Sequence, residues 1–333
     1  MLHFPFINSA DTSLGRIDYA SLPQQALMEI FIAGIENPEA VGGNHEEPKD
    51  ISEWDGVEID SETENVIAIN WNNQHLRGSI DVQWLPATVS KVSLIKNYLS
   101  GTADLTRLPA GLTDLAISTN DFTGTADLSL LPDGLKMIAL DNNNFSGSLE
   151  LRKLPSSLQK LDTRNNVFTE SISLGELPHG LTELNLSYNW LRGSLDLRSL
   201  PRALNVLQLQ NNQFTGSVDL AHLPDGLTIL HCFLNQLSGS VDLTSLPAAL
   251  DTLTLSKNKF TGRVDLTRLP KRICYLHLDT NNFSGETDFS HIPESLKLLN
   301  VANTDLSGEI HRKKTQRRIF LVINSNVTLH GMT

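Results

Sequence analysis

Two histidines are the side chains in this sequence with the greatest capacity for chemistry. His231 and His277 share one stretch of the chain with Ser256 and Asp279. A serine hydroxyl, an imidazole base and a carboxylate are the groups of a nucleophilic hydrolase. Such a site requires the base and the nucleophile to lie within hydrogen-bond reach. Whether these four residues meet therefore depends on the elements that carry them.

A regular series of aspartates is the second set of residues that could do chemistry. The series comprises Asp104, Asp127, Asp196, Asp219, Asp242, Asp265 and Asp288. Calcium takes about six to eight oxygen ligands, and one carboxylate per interval does not supply them. An aspartate at each interval can instead cap a helical turn. The sequence also has no phosphate-binding loop, HExxH or CxxC motif, so we predict neither a metal nor a cofactor.

Proline, asparagine and glycine all recur every 23 residues, as from Pro86 to Pro109. The prolines are Pro86, Pro109, Pro132, Pro155, Pro178, Pro201, Pro224, Pro247, Pro270 and Pro293. The asparagines are Asn97, Asn120, Asn143, Asn166, Asn189, Asn212, Asn235, Asn258 and Asn281. Glycine follows each asparagine at a fixed distance, except that Glu170 interrupts its column. A fixed period of this length predicts a solenoid, in which each unit packs only on its neighbours.

The repeated unit reads L-x-x-L-x-L-x-x-N-x-F/L-x-G-x-x-D-L-x-x-L-P-x-x, and residues 181–203 are a regular copy. This is the pattern of a leucine-rich repeat. The alternation in L-x-L predicts a short strand with its leucines inward. The asparagine side chain can bond the backbone of the following turn, the F/L position fills the coil, and the glycine permits a positive-φ bend. We expect a second short strand over x-x-D-L, then a helical turn that begins at the aspartate and ends at the proline.

These elements predict an α/β solenoid. We expect a curved leucine-rich-repeat coil with a parallel β-sheet on its concave face, and a second short strand and helical turns on the other sides. Neighbouring strands lie about 4.8 Å apart. His231 and His277 fall in one column two units apart, roughly 10 Å by strand spacing, which is beyond hydrogen-bond reach. We therefore predict that the protein is not an enzyme.

Terminal coils need caps because they would otherwise expose their core. The predicted segments are a poorly ordered N-terminus over 1–21, a helical and hairpin cap over 22–65, the repeat array over 66–310, and a partial coil with a C-terminal cap over 311–333. We expect the cap helix over Ala26–Ile35 and the hairpin within Trp54–Trp71. A basic run over 311–318 precedes LVINSN (321–326), which follows the L-x-L-x-x-N pattern.

The repeat and its cap resemble the plant-type leucine-rich-repeat proteins. LRGSLDL (191–197) and FTGSVDL (214–220) stand where that family has L-x-G-x-I-P, and the cap is similar at Asn37-Pro38, WDGV (54–57) and VIAI (66–69). The resemblance covers about residues 22–326 and implies an interaction scaffold. Family caps usually carry a disulfide and follow a signal peptide, and we identify neither here. The later proline in D-L-x-x-L-P is more typical of expanded protist repeat proteins.

Composition limits the partners and the compartment. The formal net charge is −12, from 26 basic and 38 acidic residues, which disfavours nucleic acid and anionic membranes. No run approaches the ~20 apolar residues of a membrane span, so we predict no membrane insertion. Cys232 and Cys274 do not make a disulfide framework. Together with the lack of an apolar leader, they predict a monomeric cytoplasmic protein, with nuclear or non-classically exported locations left open.

The candidate binding site consists of unusual side chains that face out from or beside the predicted concave sheet. Exposed aromatic groups in a patch mark interfaces. The candidate partner-binding residues are Tyr188, Trp190, Val206, Gln208, Ile229, His231, Phe233, Leu234, Tyr275 and His277. The alternative for Trp190 and Leu234 is packing on neighbouring loops. A mixed-charge group is better explained as a solvated face with ion pairs; it comprises Asp141, Lys160, Asp162, Arg164 and Glu183.

The sequence therefore predicts a non-enzymatic scaffold that binds a protein partner on the concave face. The alternative is an extracellular or surface protein that recognises a peptide or a carbohydrate. Four N-x-S/T sequons and the plant-like cap favour that alternative. The lack of an identifiable signal peptide and of cap disulfides favours the scaffold.

Overall fold

The computed structural model describes residues 19–43, 49–311 and 318–331. It confirms the predicted solenoid, whose coils contribute one strand each to a long, mainly parallel sheet. The long sheet begins with an antiparallel pair and is parallel thereafter. Its strands are Val57–Ile59, Val66–Asn70, Lys91–Ser93, Asp114–Ala116, Met137–Ala139, Lys160–Asp162, Glu183–Asn185, Val206–Gln208, Ile229–His231, Thr252–Thr254, Tyr275–His277, Leu298–Asn300 and Ile319–Leu321.

A second set of parallel strands lies on another side of the coil and forms two sheets. The first contains Arg77–Gly78, Tyr98–Thr102, Asp121–Thr125, Asn144–Gly147 and Val167–Phe168. The other contains Arg192–Ser194, Gln213–Gly216, Gln236–Gly239, Lys259–Gly262, Asn282–Glu286, Asp305–His311 and Asn326–His330. These strands are called the outer strands below. The break falls at Glu170, the residue that interrupts the glycine column, and an isolated bridge between Ser171 and Arg192 crosses it.

The expected position of the outer strand was wrong. In a regular coil it begins immediately after the ladder asparagine and spans the glycine, as in Tyr98–Thr102, so it ends before the D-L pair. Gly101 and Gly124 have φ of 82° within these strands. A Cβ at Gly124 would lie 2.9 Å from Cγ2 of Thr102 in the preceding coil. Glycine therefore provides both the backbone conformation and the clearance between coils.

The asparagine ladder and the aspartate caps are confirmed. Asn97 Oδ1 accepts hydrogen bonds from the amides of Gln74 and Leu76 in the preceding coil, at 3.0 and 3.1 Å. Its Nδ2 donates to the carbonyls of Trp71 and Leu94. Each buried ladder side chain thus satisfies backbone groups that would otherwise be unpaired. At the turn, the Thr106 amide donates to Asp104 Oδ1 at 3.1 Å.

Helical structure is sparser than the predicted α/β class suggests. The α-helix of the cap is Gln24–Phe31, so it ends before Ile35, whose backbone bridges to Gly78 instead. The 3-10 turns are Tyr19–Ser21, Pro38–Val41, Ile51–Glu53, Val82–Trp84, Leu105–Arg107 and Leu151–Lys153. No helix within the described ranges is long and apolar enough to span a bilayer.

The core is a column of leucines and phenylalanines along the coil axis. Phe122, Phe145 and Phe168 are fully buried, and their rings stack with centroids 6.1 and 6.4 Å apart. This confirms the expectation that the F/L position fills the coil. In the cap, Trp71 is buried against Phe31 and Trp54. The cap helix therefore covers the end of the array with apolar area.

The two chain ends lie partly outside the described residues, which exclude 1–18 and most of the basic run, 312–317. Tyr19, placed in the segment expected to be poorly ordered, stacks on Trp84 with ring centroids 6.4 Å apart. At the other end, Ile319–Leu321 adds a strand to the long sheet and Asn326–His330 adds an outer strand.

The assignment of LVINSN to the L-x-L-x-x-N pattern was wrong by one residue. Phe320 is buried, whereas Leu321 and Ile323 are exposed. Phe320 pairs in register with Leu299, and a one-residue shift along a strand exchanges its two faces. Ser325 follows the positive-φ residue of this turn and donates its hydroxyl to the Val322 carbonyl at 2.7 Å.

Candidate functional site

The outward face of the long sheet brings most of the candidate residues into two parallel rows. Val206 and Ile229 are direct neighbours in register, and Thr252 separates Ile229 from Tyr275. Gln208 and His231 are neighbours in the second row, followed by Thr254 and then His277. All of these candidates are half-buried or exposed rather than in the core.

Four of these residues define what we call the aromatic–histidine patch: His231, Phe233, Tyr275 and His277. The rings of His231 and Phe233 meet edge to face at 6.1 Å between centroids. Tyr275 is 38 % exposed, and Lys297 Nζ lies 5.7 Å from its ring centroid. His231, Phe233 and His277 line a cavity of about 280 Å³. The polar residues Ser256, Lys257, Asp279 and Asn300 also line it.

Three candidates do not lie on this face. Tyr188 and Leu234 occupy the turn that leaves the long sheet, with φ of 54° and 55°. Trp190 follows the ladder asparagine, and its amide donates to the Phe168 carbonyl, which places it at the start of the outer strand. Trp190 is 59 % exposed. The turn at Tyr188 therefore lies between Trp190 and the long sheet, and the grouping of Trp190 with the other aromatic residues stays a prediction.

The serine, histidine and aspartate of this patch do not make a catalytic relay. Ser256 Oγ donates to Asp279 Oδ1 at 2.6 Å, so the hydroxyl contacts the carboxylate rather than an imidazole. His277 Nδ1 is 3.9 Å from the same carboxylate oxygen, beyond hydrogen-bond distance. Thr254 separates the two histidines in the sheet. The arrangement lacks the base–nucleophile contact that acyl-transfer chemistry needs.

The mixed-charge group forms a second patch of the same face, the ion-pair patch, made of Asp141, Lys160, Asp162, Arg164 and Glu183. Lys160 Nζ lies 2.7 Å from Glu183 Oε1, and Arg164 Nη2 lies 3.4 Å from Asp141 Oδ2. Asp162 accepts hydrogen bonds from the Arg164 amide and from Asn185 Nδ2. The charges of this patch are thus paired within the protein.

Burial shifts pKa values in both patches. It raises the pKa of a carboxyl in the ion-pair patch and lowers the pKa values of two histidines in the aromatic–histidine patch. Burial of Asp162 raises the pKa of its carboxyl to about 6, and the nearby charge of Asp141 also raises it. The hydrogen bonds that Asp162 accepts and the charge of Arg164 lower this pKa but do not outweigh burial. Burial lowers the pKa of His231, with His277 as a further cause. Burial also lowers the pKa of His277, although Asp279 opposes it. In each case desolvation disfavours the charged form.

Sequence reasoning missed two surface features of the outer strands. The first is a row of exposed hydroxyls immediately after the glycine column: Thr102, Thr125, Ser148, Ser171, Ser194, Ser217 and Ser240. The T/S-G-T/S repeat was a visible signal for this hydroxyl row. The second is the group of Glu309, His311 and His330. The spacing of Glu309 and His311 indicates that they share one face of a strand. His330 could not be added from the sequence, because its strand does not follow the 23-residue period.

No protein-family model and no curated protein sequence matches this chain. Several solved structures share its fold. A plant ice-binding protein is 19 % identical, with a TM-score of 0.63 over 92 % of this chain and 95 % of that one. A TDR receptor is 20 % identical, with a TM-score of 0.53 over 79 % of this chain, which spans 56 % of the receptor's length.

The leucine-rich repeat domain of APL1 is 18 % identical and has a TM-score of 0.53, over 80 % of this chain and 70 % of that domain. At these identities the likenesses establish the fold alone. The chain is a leucine-rich-repeat solenoid, as its repeat unit and the resemblance implied.

Proposed function

We propose that this leucine-rich-repeat solenoid is a non-enzymatic scaffold that binds a protein partner through the aromatic–histidine patch on the concave face. The observation that carries the proposal is the patch itself. Phe233 and Tyr275 expose aromatic area beside a cavity of about 280 Å³. Aromatic side chains are enriched at binding hot spots because they bury large apolar area at low entropic cost.

The surroundings of the patch support a protein partner. Lys257 and Asp279 line the same cavity with opposite charges, so apolar and charged groups occur together, as they do in protein interfaces. The patch also lies on strands held in register on both sides. A rigid surface of this kind binds with little ordering cost.

The test compares partners recovered by the wild type with those recovered by a Phe233→Ala/Tyr275→Ala double variant. We expect a partner that is captured by the wild type to bind the variant about 30-fold more weakly or worse, as when a hot spot of ~2 kcal/mol is removed. The affinity for the purified partner is then measured by titration. Circular dichroism establishes that the variant is folded.

Tyr98→Ala/Leu130→Ala is the matched control. It also removes two exposed apolar side chains, but from outside the patch, and should bind the partner as the wild type does. If both double variants retain the same partner with equal affinity, the patch is not the binding site.

We also propose a cytoplasmic location and absence of catalysis. Both cysteines are free, and burial raises the pKa of the Cys232 thiol to about 12, so this thiol is inert packing. Free thiols are compatible with a reducing compartment. Recognition of a peptide or carbohydrate outside the cell is the alternative for the same patch. Cell fractionation of the native protein separates the two, since recovery from the medium favours the alternative.

A second candidate function rests on the hydroxyl row of the outer strands. Its members repeat from coil to coil at the strand spacing of about 4.8 Å, and a parallel row precedes the glycines at positions such as Ser100 and Thr123. A regular array of exposed hydroxyls can hold an ordered layer of water. Binding to ice, the ligand named for the similar plant protein, is the function that such an array favours.

Ice-recrystallisation assays test this second candidate. Ser148→Lys/Ser217→Lys places two bulky charges in the row and should abolish any inhibition by the wild type. Ser156→Lys/Ser199→Lys introduces the same charges at exposed serines outside the row and should have no effect. Absence of inhibition by the wild-type protein contradicts the candidate and leaves the partner-binding proposal intact.

A further inference from the structure

The last two outer strands bring two imidazoles and a carboxylate to one surface. Glu309 and His311 are two residues apart on Asp305–His311, so their side chains share a face of the strand. His330, on Asn326–His330, is the register partner of His311 in the adjacent parallel strand. Their backbones are hydrogen-bonded in one sheet, which fixes the relative positions of all three side chains.

The nitrogen and oxygen atoms of this group converge on one point. His311 Nε2 lies 3.4 Å from Glu309 Oε2, and His330 Nε2 lies 3.5 Å from the same oxygen. One ligand atom from each residue falls within 4.8 Å of the others. The two imidazole rings stack with their centroids 4.8 Å apart and an interplanar angle of 14°.

These separations match those between ligands of a tetrahedral metal ion. Bonds of about 2.0–2.1 Å from zinc to nitrogen or oxygen place neighbouring ligand atoms about 3.3–3.4 Å apart. Two of the three separations already have this length. Closing the third requires only a small rotation of one exposed imidazole.

The state of His330 is an independent sign of a ligand. Its Nε2 is shielded from solvent, yet it has no hydrogen-bond partner in the described part of the chain. The contact with Glu309 at 3.5 Å does not satisfy it, because its geometry is not that of a hydrogen bond. A shielded polar atom without a partner is rare and calls for a bound group. Here the atom lies 3.5 Å from a carboxylate oxygen, and its ring stacks on a second imidazole.

A cavity beside the triad has an acidic lining among the described residues. Glu309 and His311 border this cavity of about 880 Å³, which is also lined by Glu286, Asp288 and Glu294. Arg263 and Arg318 are the basic side chains in the described lining. Among the described lining residues, carboxylates therefore outnumber basic groups.

We propose that Glu309, His311 and His330 form a binding site for a divalent transition-metal ion, with Zn²⁺ as the preferred occupant. Two imidazoles and one carboxylate are ligands that Zn²⁺ accepts readily. Three protein ligands leave a fourth position open to water or to a side chain of a partner. The site is on the outer strands and is independent of the aromatic–histidine patch.

The test is titration of the full chain, without an affinity tag, with Zn²⁺ in competition with a chromophoric chelator. The wild type is expected to bind one Zn²⁺ per chain and to unfold at a higher temperature when zinc is present, since a ligand of the folded state stabilises it. Co²⁺ in place of Zn²⁺ should give the visible absorption of a four-coordinate site.

His311→Ala/His330→Ala should lose the stoichiometric zinc, the Co²⁺ spectrum and the shift in unfolding temperature together. Glu309→Gln, which preserves side-chain size, should weaken binding and serves as the second variant if the double variant is unstable. His222→Ala/His291→Ala is the matched control, because these two exposed histidines are not members of the triad and lie against capping aspartates, at 2.9 and 3.2 Å. The proposal is overturned if wild type binds no zinc, or if the triad and control variants bind it equally.

Discussion

The two patches of the long sheet share a backbone but not a chemistry. In the ion-pair patch, Lys160 meets Glu183 and Arg164 meets Asp141, so the charges find partners within the protein. In the aromatic–histidine patch, Tyr275 and Phe233 leave aromatic area uncovered, and His277 is 3.9 Å from Asp279. In the long sheet, the strand Val206–Gln208 lies between the strand of Glu183 and the strand of His231.

This difference teaches how a repeat scaffold can separate stability from recognition. The buried columns are nearly constant from coil to coil, so they stabilise every coil in the same way. The outward residues are free to differ, because their side chains take no part in the core. A patch whose polar groups pair internally has little to offer a partner, whereas an unpaired aromatic patch gains free energy when covered.

The largest expected effect comes from disrupting the asparagine ladder, which supports the coils of both patches. Asn212 lies between them, and its Oδ1 accepts from the Leu191 amide while its Nδ2 donates to the Leu186 carbonyl. Asn212→Ala leaves these buried groups unpaired and should lower the free energy of unfolding by about 3–4 kcal/mol. Urea unfolding measures this.

The neighbouring variant Gln213→Ala is the control for this prediction. Gln213 is also an amide residue but is exposed on the outer strand, so its removal should change stability by less than about 0.5 kcal/mol. Equal losses of unfolding free energy in the two variants would mean that the asparagine ladder does not stabilise the coils that carry the two patches.

The next largest effect concerns Asp162 in the ion-pair patch. Its pKa is raised to about 6 in the folded protein, so the unfolded chain loses this proton first as pH rises. The contribution of Asp162 to wild-type stability should therefore fall between about pH 4 and pH 6 and stay lower above it. Asp162→Asn should remove that loss and raise the free energy of unfolding at pH 7 by about 1–2 kcal/mol. This value is smaller than the energy equivalent of the whole pKa shift, because the side chain is 31 % exposed and water screens its charge.

Asp265→Asn should behave in the opposite sense. Hydrogen bonds from Thr267 lower the pKa of Asp265, so this carboxylate stabilises the fold above its unfolded pKa and the benefit disappears as pH falls. Unfolding curves at pH 4, 5, 6 and 7 separate the two variants. A gain in stability at pH 7 from both would contradict the burial argument for Asp162.

The repeat made most of the fold predictable. The main error in assigning strands fell in the last coil, which does not follow the repeat. Asn97 and its equivalents could be assigned from sequence because nine coils repeat one hydrogen-bond pattern. In the last coil, IFLVIN (319–324) is apolar at nearly every position, so alternation could not distinguish Phe320 from Leu321. Pairing with Leu299 settled the register, and that contact has no sequence signal.

The candidate site was predictable to the extent that it lies within the repeat. His231 and His277 were assigned to one row because their columns are fixed by period. Trp190 lies one residue beyond the ladder asparagine, where the chain has already left the long sheet, and its place in the binding site stays a prediction. The triad of Glu309, His311 and His330 was missed because its strands pair with an offset of 19 residues, His311 with His330, whereas regular outer strands pair with an offset of 21, as Arg192 does with Gln213.

A smaller effect is expected from the histidines of the aromatic–histidine patch. Their contribution to stability should change with pH in the opposite direction to that of Asp162 in the ion-pair patch. Burial lowers the pKa of His231 and His277, so protonation below about pH 6.5 favours the unfolded chain and stability should fall as pH falls. His231→Gln and His277→Gln should each reduce this loss between pH 7.5 and pH 5.5, measured by thermal unfolding. His222→Gln, on the aspartate side of the coil, controls for the change in charge. A larger acid loss in either patch variant would contradict the assignment.

The smallest expected effect is the coupling between Lys160 and Glu183. Their side chains are 52 % and 47 % exposed, and exposed ion pairs contribute only about 0.2–1 kcal/mol because water and salt screen them. A double-mutant cycle with Lys160→Ala and Glu183→Ala should give a coupling in this range that declines in 1 M salt. The pair between Arg192 and Glu170 on the outer strands, with similar exposure, should give a similar value. A coupling above about 2 kcal/mol at Lys160–Glu183 alone would make the ion-pair patch a structural element of the solenoid, and would remove the contrast between a solvated patch and a binding patch.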